Sequence, residues 1–91
     1  MNYKVFVSKT FQKKFYQIQK NKQKLIRTSL EELKKDPFKS RTNCDIKLLV
    51  DTKPKKYRLR IGELRILYLI EQKHVKVIDL VKRQTAYSKL E

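Results

Sequence analysis

Between residues 56 and 70 the chain reads KYRLRIGELRILYLI, and its polarity switches at each step over the first half. Tyr57, Leu59 and Ile61 fall on one side, and Lys56, Arg58 and Arg60 on the other. That period of two marks a strand with one apolar and one polar face. Gly62-Glu63 then supplies a short connection, whose glycine provides the positive φ of a tight hairpin. The run from Leu64 to Ile70 is apolar except for Arg65. Symmetric pairing about Gly62-Glu63 sets Arg60 directly opposite Arg65, on the face that carries Arg58 and Lys56. Like charges facing each other across a sheet cost roughly 0.2–1 kcal/mol. A polyanion site has a use for that arrangement and a fold does not; the bland alternative is a solvated face on a very basic protein.

The remaining pattern gives the order strand, helix, helix, then a three-strand meander. Tyr3, Val5 and Val7 alternate with Lys4 and Ser8, which predicts a first strand at about residues 2–7. Ser8 or Thr10 can cap a helix in which Phe11, Phe15 and Ile18 recur at i, i+4 and i+7, with Lys13, Lys14, Gln17 and Lys20 outward. The stripe slackens at Asn21 and resumes with Leu25/Ile26, Leu30 and Leu33, while Glu31, Glu32, Lys34 and Lys35 stay wet. Asp36-Pro37 ends it, because a residue before proline avoids the helical region. Two helices of similar length, joined by a tight turn, are therefore expected, with their Phe and Leu stripes as core.

Phe38 to Pro54 carries the weakest pattern. Thr42-Asn43 and Asp51-Thr52 are turn-prone, and Ile46, Leu48, Leu49 and Val50 can form a short extended piece. Glu71 to Lys73 reads as a turn. Val75, Val77, Ile78, Leu80 and Val81 make the fourth strand, in which Asp79 is out of keeping and calls for a cation. Thr85 to Leu90 can add a final helical turn carrying Tyr87. The expected architecture is a single α+β domain over residues 1–91. A helical hairpin packs on one face of a small, mainly antiparallel four-stranded sheet, in the order β-α-α-β-β-β with a short C-terminal helix. The opposite face, with Lys56, Arg58, Arg60 and Arg65, is left as a cationic groove.

Charge sharpens this picture. The 91 residues hold 24 Lys+Arg against 9 Asp+Glu, a formal net charge of +15. Residues 1–35 contain 10 basic and 2 acidic groups, and residues 36–91 contain 14 and 7, so the excess is spread along the chain. Such a field favours nucleic acid or another acidic partner, and an acidic protein would also relieve self-repulsion. Cys44 is the single cysteine, which excludes an internal disulfide and a cysteine metal cluster and suggests a reducing, cytoplasmic setting. Met1 to Val7 is too short and too interrupted for a signal peptide, and no apolar run reaches the ~18 residues of a membrane span.

Familiar catalytic constellations are missing. His74 has no second histidine to work with, no strand carries a carboxylate pair for two-metal chemistry, and Gly62 is the only glycine. What remains is a set of Lys and Arg with aromatics, Tyr87 above all, able to grip phosphates, stack a base and stabilise a pentacoordinate phosphate. RNA is the natural substrate for such a set, because its 2′-hydroxyl is an internal nucleophile that needs mainly to be held in line. Composition alone ranks binding above catalysis.

YRLRIGELRILY, followed by IDLVKRQTAY, resembles the RelE/ParE superfamily of bacterial and archaeal type II toxins. The shared pattern is a Y-R-[LI]-R-[IV]-G-x-x-R-[IVL]-x-Y hairpin, then a strand ending in a basic pair with a tyrosine shortly after. The element order agrees as well, so the resemblance spans essentially the whole chain. It implies a ribosome-dependent mRNA interferase of the RelE branch. Such an enzyme cuts the A-site codon without a metal or other cofactor, leaves a 2′,3′-cyclic phosphate and is silenced by an acidic, RelB-like antitoxin. ParE-type members share the fold, poison gyrase and lack most of the cationic set. By position, the implied catalytic set is Lys56, Arg58, Arg65, Arg83 and Tyr87. The implied RNA-binding set is Lys55, Lys56, Arg58, Arg60, Arg65, Lys82 and Arg83. Arg58 departs from the lysine found there in RelE toxins, and a guanidinium is a poor general base. Lys56 is the better candidate, since Arg58, Arg60 and Arg65 disfavour another positive charge beside them. Two alternatives stay open: a ParE-like toxin without nuclease activity, and a plain nucleic-acid-binding protein.

Overall fold

Strand β1 (Lys4–Val7) hands over to the helices at Ser8. The Ser8 hydroxyl accepts from the Phe11 N–H at 3.0 Å, capping helix α1 (Lys9–Phe15), and donates to the Ile78 carbonyl at 2.8 Å. One small side chain thus starts a helix and ties it to a strand at the other end of the sequence. In the computed structural model, which describes residues 2–50 and 53–82, α1 gives way at Tyr16 and helix α2 runs from Lys20 to Lys35. The helices are 7 and 16 residues long, not of similar length, and the break lies before Asn21. Gln23 makes the break: its buried amide donates to the carbonyls of Phe15 at 3.1 Å and Ile18 at 2.8 Å. Those are acceptors that a continuing helix would have used itself.

Asp36 terminates α2 with extended backbone, as the following Pro37 requires. Pro37 is buried, and its carbonyl accepts from the Tyr68 hydroxyl at 2.7 Å. Burial pushes the Tyr68 phenol well above the ordinary tyrosine range, so it stays a donor. Arg41 closes the corner by donating to the carbonyls of Glu32, Asp36 and Lys39 and to the Glu32 carboxylate. Asn43, at φ 62°, then turns the chain between the paired Arg41 and Cys44.

The sheet is where the expected architecture needs correcting. Among the described residues it has five strands in the order β1-β5-β4-β3-β2, not four. The additional member is β2 (Asp45–Leu48), the piece read only as a short extended segment. Ile46 is its one buried residue, so β2 carries almost no pattern of its own; pairing with β3 (Tyr57–Ile61) creates it. Strands β3, β4 (Leu64–Glu71) and β5 (His74–Lys82) form the antiparallel meander. β1 joins β5 in parallel, which makes the sheet mixed. The α+β class and the mainly antiparallel pairing stand. The C-terminal helical turn expected at residues 85–90 lies outside the described residues.

Both helices cover one face. Phe11, Phe15, Ile26 and Leu33 pack with Leu59, Leu64, Ile66, Tyr68, Val75, Val77 and Leu80 in the main core. A smaller cluster of Leu49, Leu67 and Val81, flanked by Ile78, covers part of the other face. β5 carries a bulge there: Leu67 pairs with Asp79 and Tyr68 with Val77, leaving Ile78 as the extra residue. Asp79 finds its cation in Lys14, whose Nζ lies 2.8 Å from Oδ1. Among the described residues, no helix is long and apolar enough to cross a membrane.

Two measurements test this account. Ser8→Ala loses both the cap and the bond to Ile78, and should destabilise the fold by about 1–2 kcal/mol in a denaturant titration. The Phe38 and Lys39 N–H groups hold the Asp36 carboxyl below its usual range. A depressed folded-state value contributes stability that is present above the unfolded carboxylate range and lost as pH falls through the folded one. Melting temperature should therefore drop between about pH 5 and pH 3, and Asp36→Asn should flatten that drop.

Candidate functional site

The β3–β4 hairpin places its cations as the alternation requires. Arg60 pairs with Arg65, and Arg58 with Leu67, across the two strands. Directly paired residues share a face, so Arg58, Arg60 and Arg65 lie opposite the helical layer, while Leu59, Leu64 and Ile66 point into the main core. Gly62, at φ +58°, takes the first central position of the turn, where a substituent would be strained by backbone conformation rather than by crowding.

The cations on this face are not equally open. Arg60 and Lys55 are exposed and Lys56 is half-buried, but Arg58 and Arg65 are only 6% and 2% exposed. This corrects the expectation of an open groove lined by all four of Lys56, Arg58, Arg60 and Arg65. The cause is the second apolar cluster, in which Leu49 comes over from beyond β2 to meet Leu67 and Val81 on the arginines' own face. Arg65 folds back on its hairpin, where Nη1 donates to the Gly62 carbonyl at 2.8 Å and the Leu64 carbonyl at 3.1 Å. Arg58 has the Asp45 carboxylate 3.6 Å from its Nη2.

β2 adds two residues that the sequence reading missed. Lys47 pairs with Arg58 and Asp45 pairs with Arg60, so the face carries a further lysine and a carboxylate beside the arginines. The Asp45 carboxylate stands one strand over from the Arg60–Arg65 pair and meets Arg58. The signal for this was a single alternation, Asp45-Ile46-Lys47, too short to read as a strand.

Lys82 departs from the set. It pairs with Leu64, on the helical side of the sheet, and lines a cleft with Lys14, Gln17, Ile18 and Asp79. Arg83 and Tyr87 lie outside the described residues. The structure thus brings Lys56, Arg58, Arg60 and Arg65 together with Lys47 and Asp45, with Lys55 at the margin. Among the described residues, no three His, Cys, Asp or Glu side chains gather as a metal site. Chemically the face can hold phosphates through its exposed cations, over a base of arginines fixed by backbone and carboxylate.

No family model and no curated protein sequence matches the chain. Solved structures do match. An archaeal RelE–RelB complex from Pyrococcus horikoshii aligns with a TM-score of 0.80 and 26% identity, covering 94% of this chain and 100% of that one. A RelB–RelE antitoxin–toxin complex from Methanococcus jannaschii gives 0.76 and 22%, covering 96% and 100%. The RelBE2 toxin–antitoxin complex from Mycobacterium tuberculosis gives 0.75 and 17%, covering 91% and 100%.

The two hairpin arginines should separate under mutation. Arg65→Ala removes two bonds to carbonyls, one of them buried, and should cost about 1–3 kcal/mol in urea unfolding. Arg60→Ala, exposed and facing a like charge, should be near neutral. A larger cost for Arg60→Ala would reverse this assignment.

Proposed function

From the premise that the chain is a RelE-type member of the RelE/ParE superfamily, we propose that it is the toxin of a type II toxin–antitoxin pair and acts by cleaving mRNA. The observation that carries the reading is the match over nearly the whole chain to an archaeal RelE at 26% identity. The hairpin motif supplies the chemistry. In the proposed reaction Lys55, Lys56 and Arg60 hold an mRNA strand in the ribosomal A site, and the 2′-hydroxyl attacks the adjacent phosphate. The new O–P bond displaces the 5′-oxygen and leaves a 2′,3′-cyclic phosphate. Lys56 takes the 2′-hydroxyl proton, because Arg58 cannot, and a second donor protonates the leaving oxygen. Arg65 and Arg83 stabilise the charge that builds on the phosphoryl oxygens, and Tyr87 stacks on or hands a proton to the substrate.

One observation favours a second reading, a toxin that acts by binding alone. Arg58 and Arg65 are buried, and Arg65 is already engaged by carbonyls of its own hairpin. A guanidinium so held would support the turn rather than meet substrate.

Cleavage on stalled ribosomes distinguishes the two. If 2′-hydroxyl attack operates, a 2′-deoxy nucleotide at the scissile position abolishes cleavage and leaves binding nearly intact. Lys56→Ala should then slow cleavage roughly a hundredfold or more with little loss of affinity, and raising the pH should recover part of the rate. Cleavage of the deoxy substrate removes 2′-hydroxyl attack, and the absence of any cleavage on stalled ribosomes removes the nuclease reading. The partner is tested separately. An acidic, mostly helical antitoxin should neutralise toxicity and raise the melting temperature, since binding to the folded form stabilises it. An unchanged melting temperature would count against that partner.

A further inference from the structure

A second cationic site lies on the other side of the molecule, where α1 meets α2. A cleft of about 790 Å³ there is lined by Tyr16, Lys20, Asn21, Gln23, Lys24 and Arg27. Among the described residues no Asp or Glu lines it, and α2 has no acidic residue in its first turn. The carboxylates of α2, Glu31 and Glu32, sit at its far end, occupied by Lys34, Lys35 and Arg41. Lysines in the first turn of a helix face the positive end of its dipole, an arrangement that destabilises the helix until an anion arrives.

The corner is also held in shape. Gln23 fixes the α1–α2 turn through the carbonyls of Phe15 and Ile18. Phe15 is buried and anchors two neighbours: the Arg27 guanidinium lies 5.1 Å from its ring centre, and the Tyr16 ring meets it edge-on at 5.2 Å. Tyr16 is nonetheless 70% exposed, the most open of the large apolar side chains among the described residues. Lys20, Lys24 and Arg27 follow at i, i+4 and i+7, which puts them in a row on one helical face, about 6 and 4.5 Å apart along the axis.

We propose that this corner is a second nucleic-acid site, which lays the phosphate backbone of an RNA strand along Lys20, Lys24 and Arg27 and stacks a base on Tyr16. A row of cations beside an open aromatic ring is the pattern that grips single strands. An acidic protein surface would use the cations and leave the Tyr16 ring with nothing to stack on. Because the corner belongs to the helical layer and the β3 arginines face the opposite way, the protein can hold two RNA segments at once. The two sites are independent, so this one stands whether or not the sheet face cleaves.

The test is binding stoichiometry with the full chain and a fluorescent decanucleotide RNA. Two oligonucleotides should bind per chain. Lys20→Ala/Lys24→Ala should remove one of them and leave the affinity and salt slope of the other unchanged. If the sheet face binds no RNA, the same variant abolishes binding instead of halving it. Lys34→Ala/Lys35→Ala loses the same charge from the other end of α2 and should keep both oligonucleotides. Tyr16→Ala should weaken binding several-fold with the salt slope unchanged, and Tyr16→Phe should bind like the parent. Equal losses in the two lysine pairs would reduce the effect to net charge and overturn the proposal. So would a Lys20→Ala/Lys24→Ala protein that still binds RNA like the parent while losing a polyglutamate probe, since the corner would then be a dock for acidic protein.

Discussion

Everything in this sheet hangs on the register of the β3–β4 hairpin. A slip of one residue would send Arg58 and Arg60 into the helical core and push Leu59 and Tyr57 out to solvent. The turn resists that slip in two ways. Gly62 takes a positive φ that other residues enter only with strain, and Arg65 bonds the carbonyls of Gly62 and Leu64 across the bend. With this register set, β5 is placed by β4, β1 by β5 and β2 by β3. The cationic face is a consequence of the same alternation that builds the core.

That dependence explains which parts were legible in the sequence. The hairpin pairing of Arg60 with Arg65 was readable because alternation and a single glycine are local signals. Strand β2 was not, since one buried residue in four defines no face, and it becomes a strand only by docking on β3. The unequal helices were hidden because the break is made by Gln23, which reaches back to carbonyls five and eight residues earlier. The resemblance put Lys82 in the RNA-binding set without fixing its face. Strict alternation from Val75 puts it on the face of Arg65, but the extra residue at Ile78 shifts the count by one and turns Lys82 to the helical side. Burial of Arg58 and Arg65 depended on Leu49, which lies well outside the motif.

The burial itself follows from the chemistry of the two cation types. A guanidinium is weakly hydrated and has several donors in a plane, so Arg58 and Arg65 tolerate a largely dry setting beside carbonyls and a carboxylate. Lysine ammonium groups hold water more tightly and stay out on the helices and on the rim of the sheet. Arg58 and Arg65 thus form a buried underlayer and Arg60 and Lys55 an exposed fringe, with Lys56 between them. An underlayer of that kind sets the potential of the face without depending on the rotamers of long exposed side chains.

The distribution of carboxylates then decides where that potential is strongest. Glu31 and Glu32 serve the C-terminal end of α2, Glu71 serves Lys76, Asp79 serves Lys14, and Asp45 serves Arg58. Each lies away from the first turns of α2. The start of α2 has no carboxylate in its first turn, although it is where the helix dipole makes lysines least welcome. On the sheet face Asp45 sits at the outer strand and leaves the centre of β3 cationic. A fold selected only for stability would place acids at both positions, because each would relieve repulsion at once. Their placement elsewhere leaves cations without a neighbouring carboxylate on two opposite surfaces, where a polyanion would relieve the repulsion.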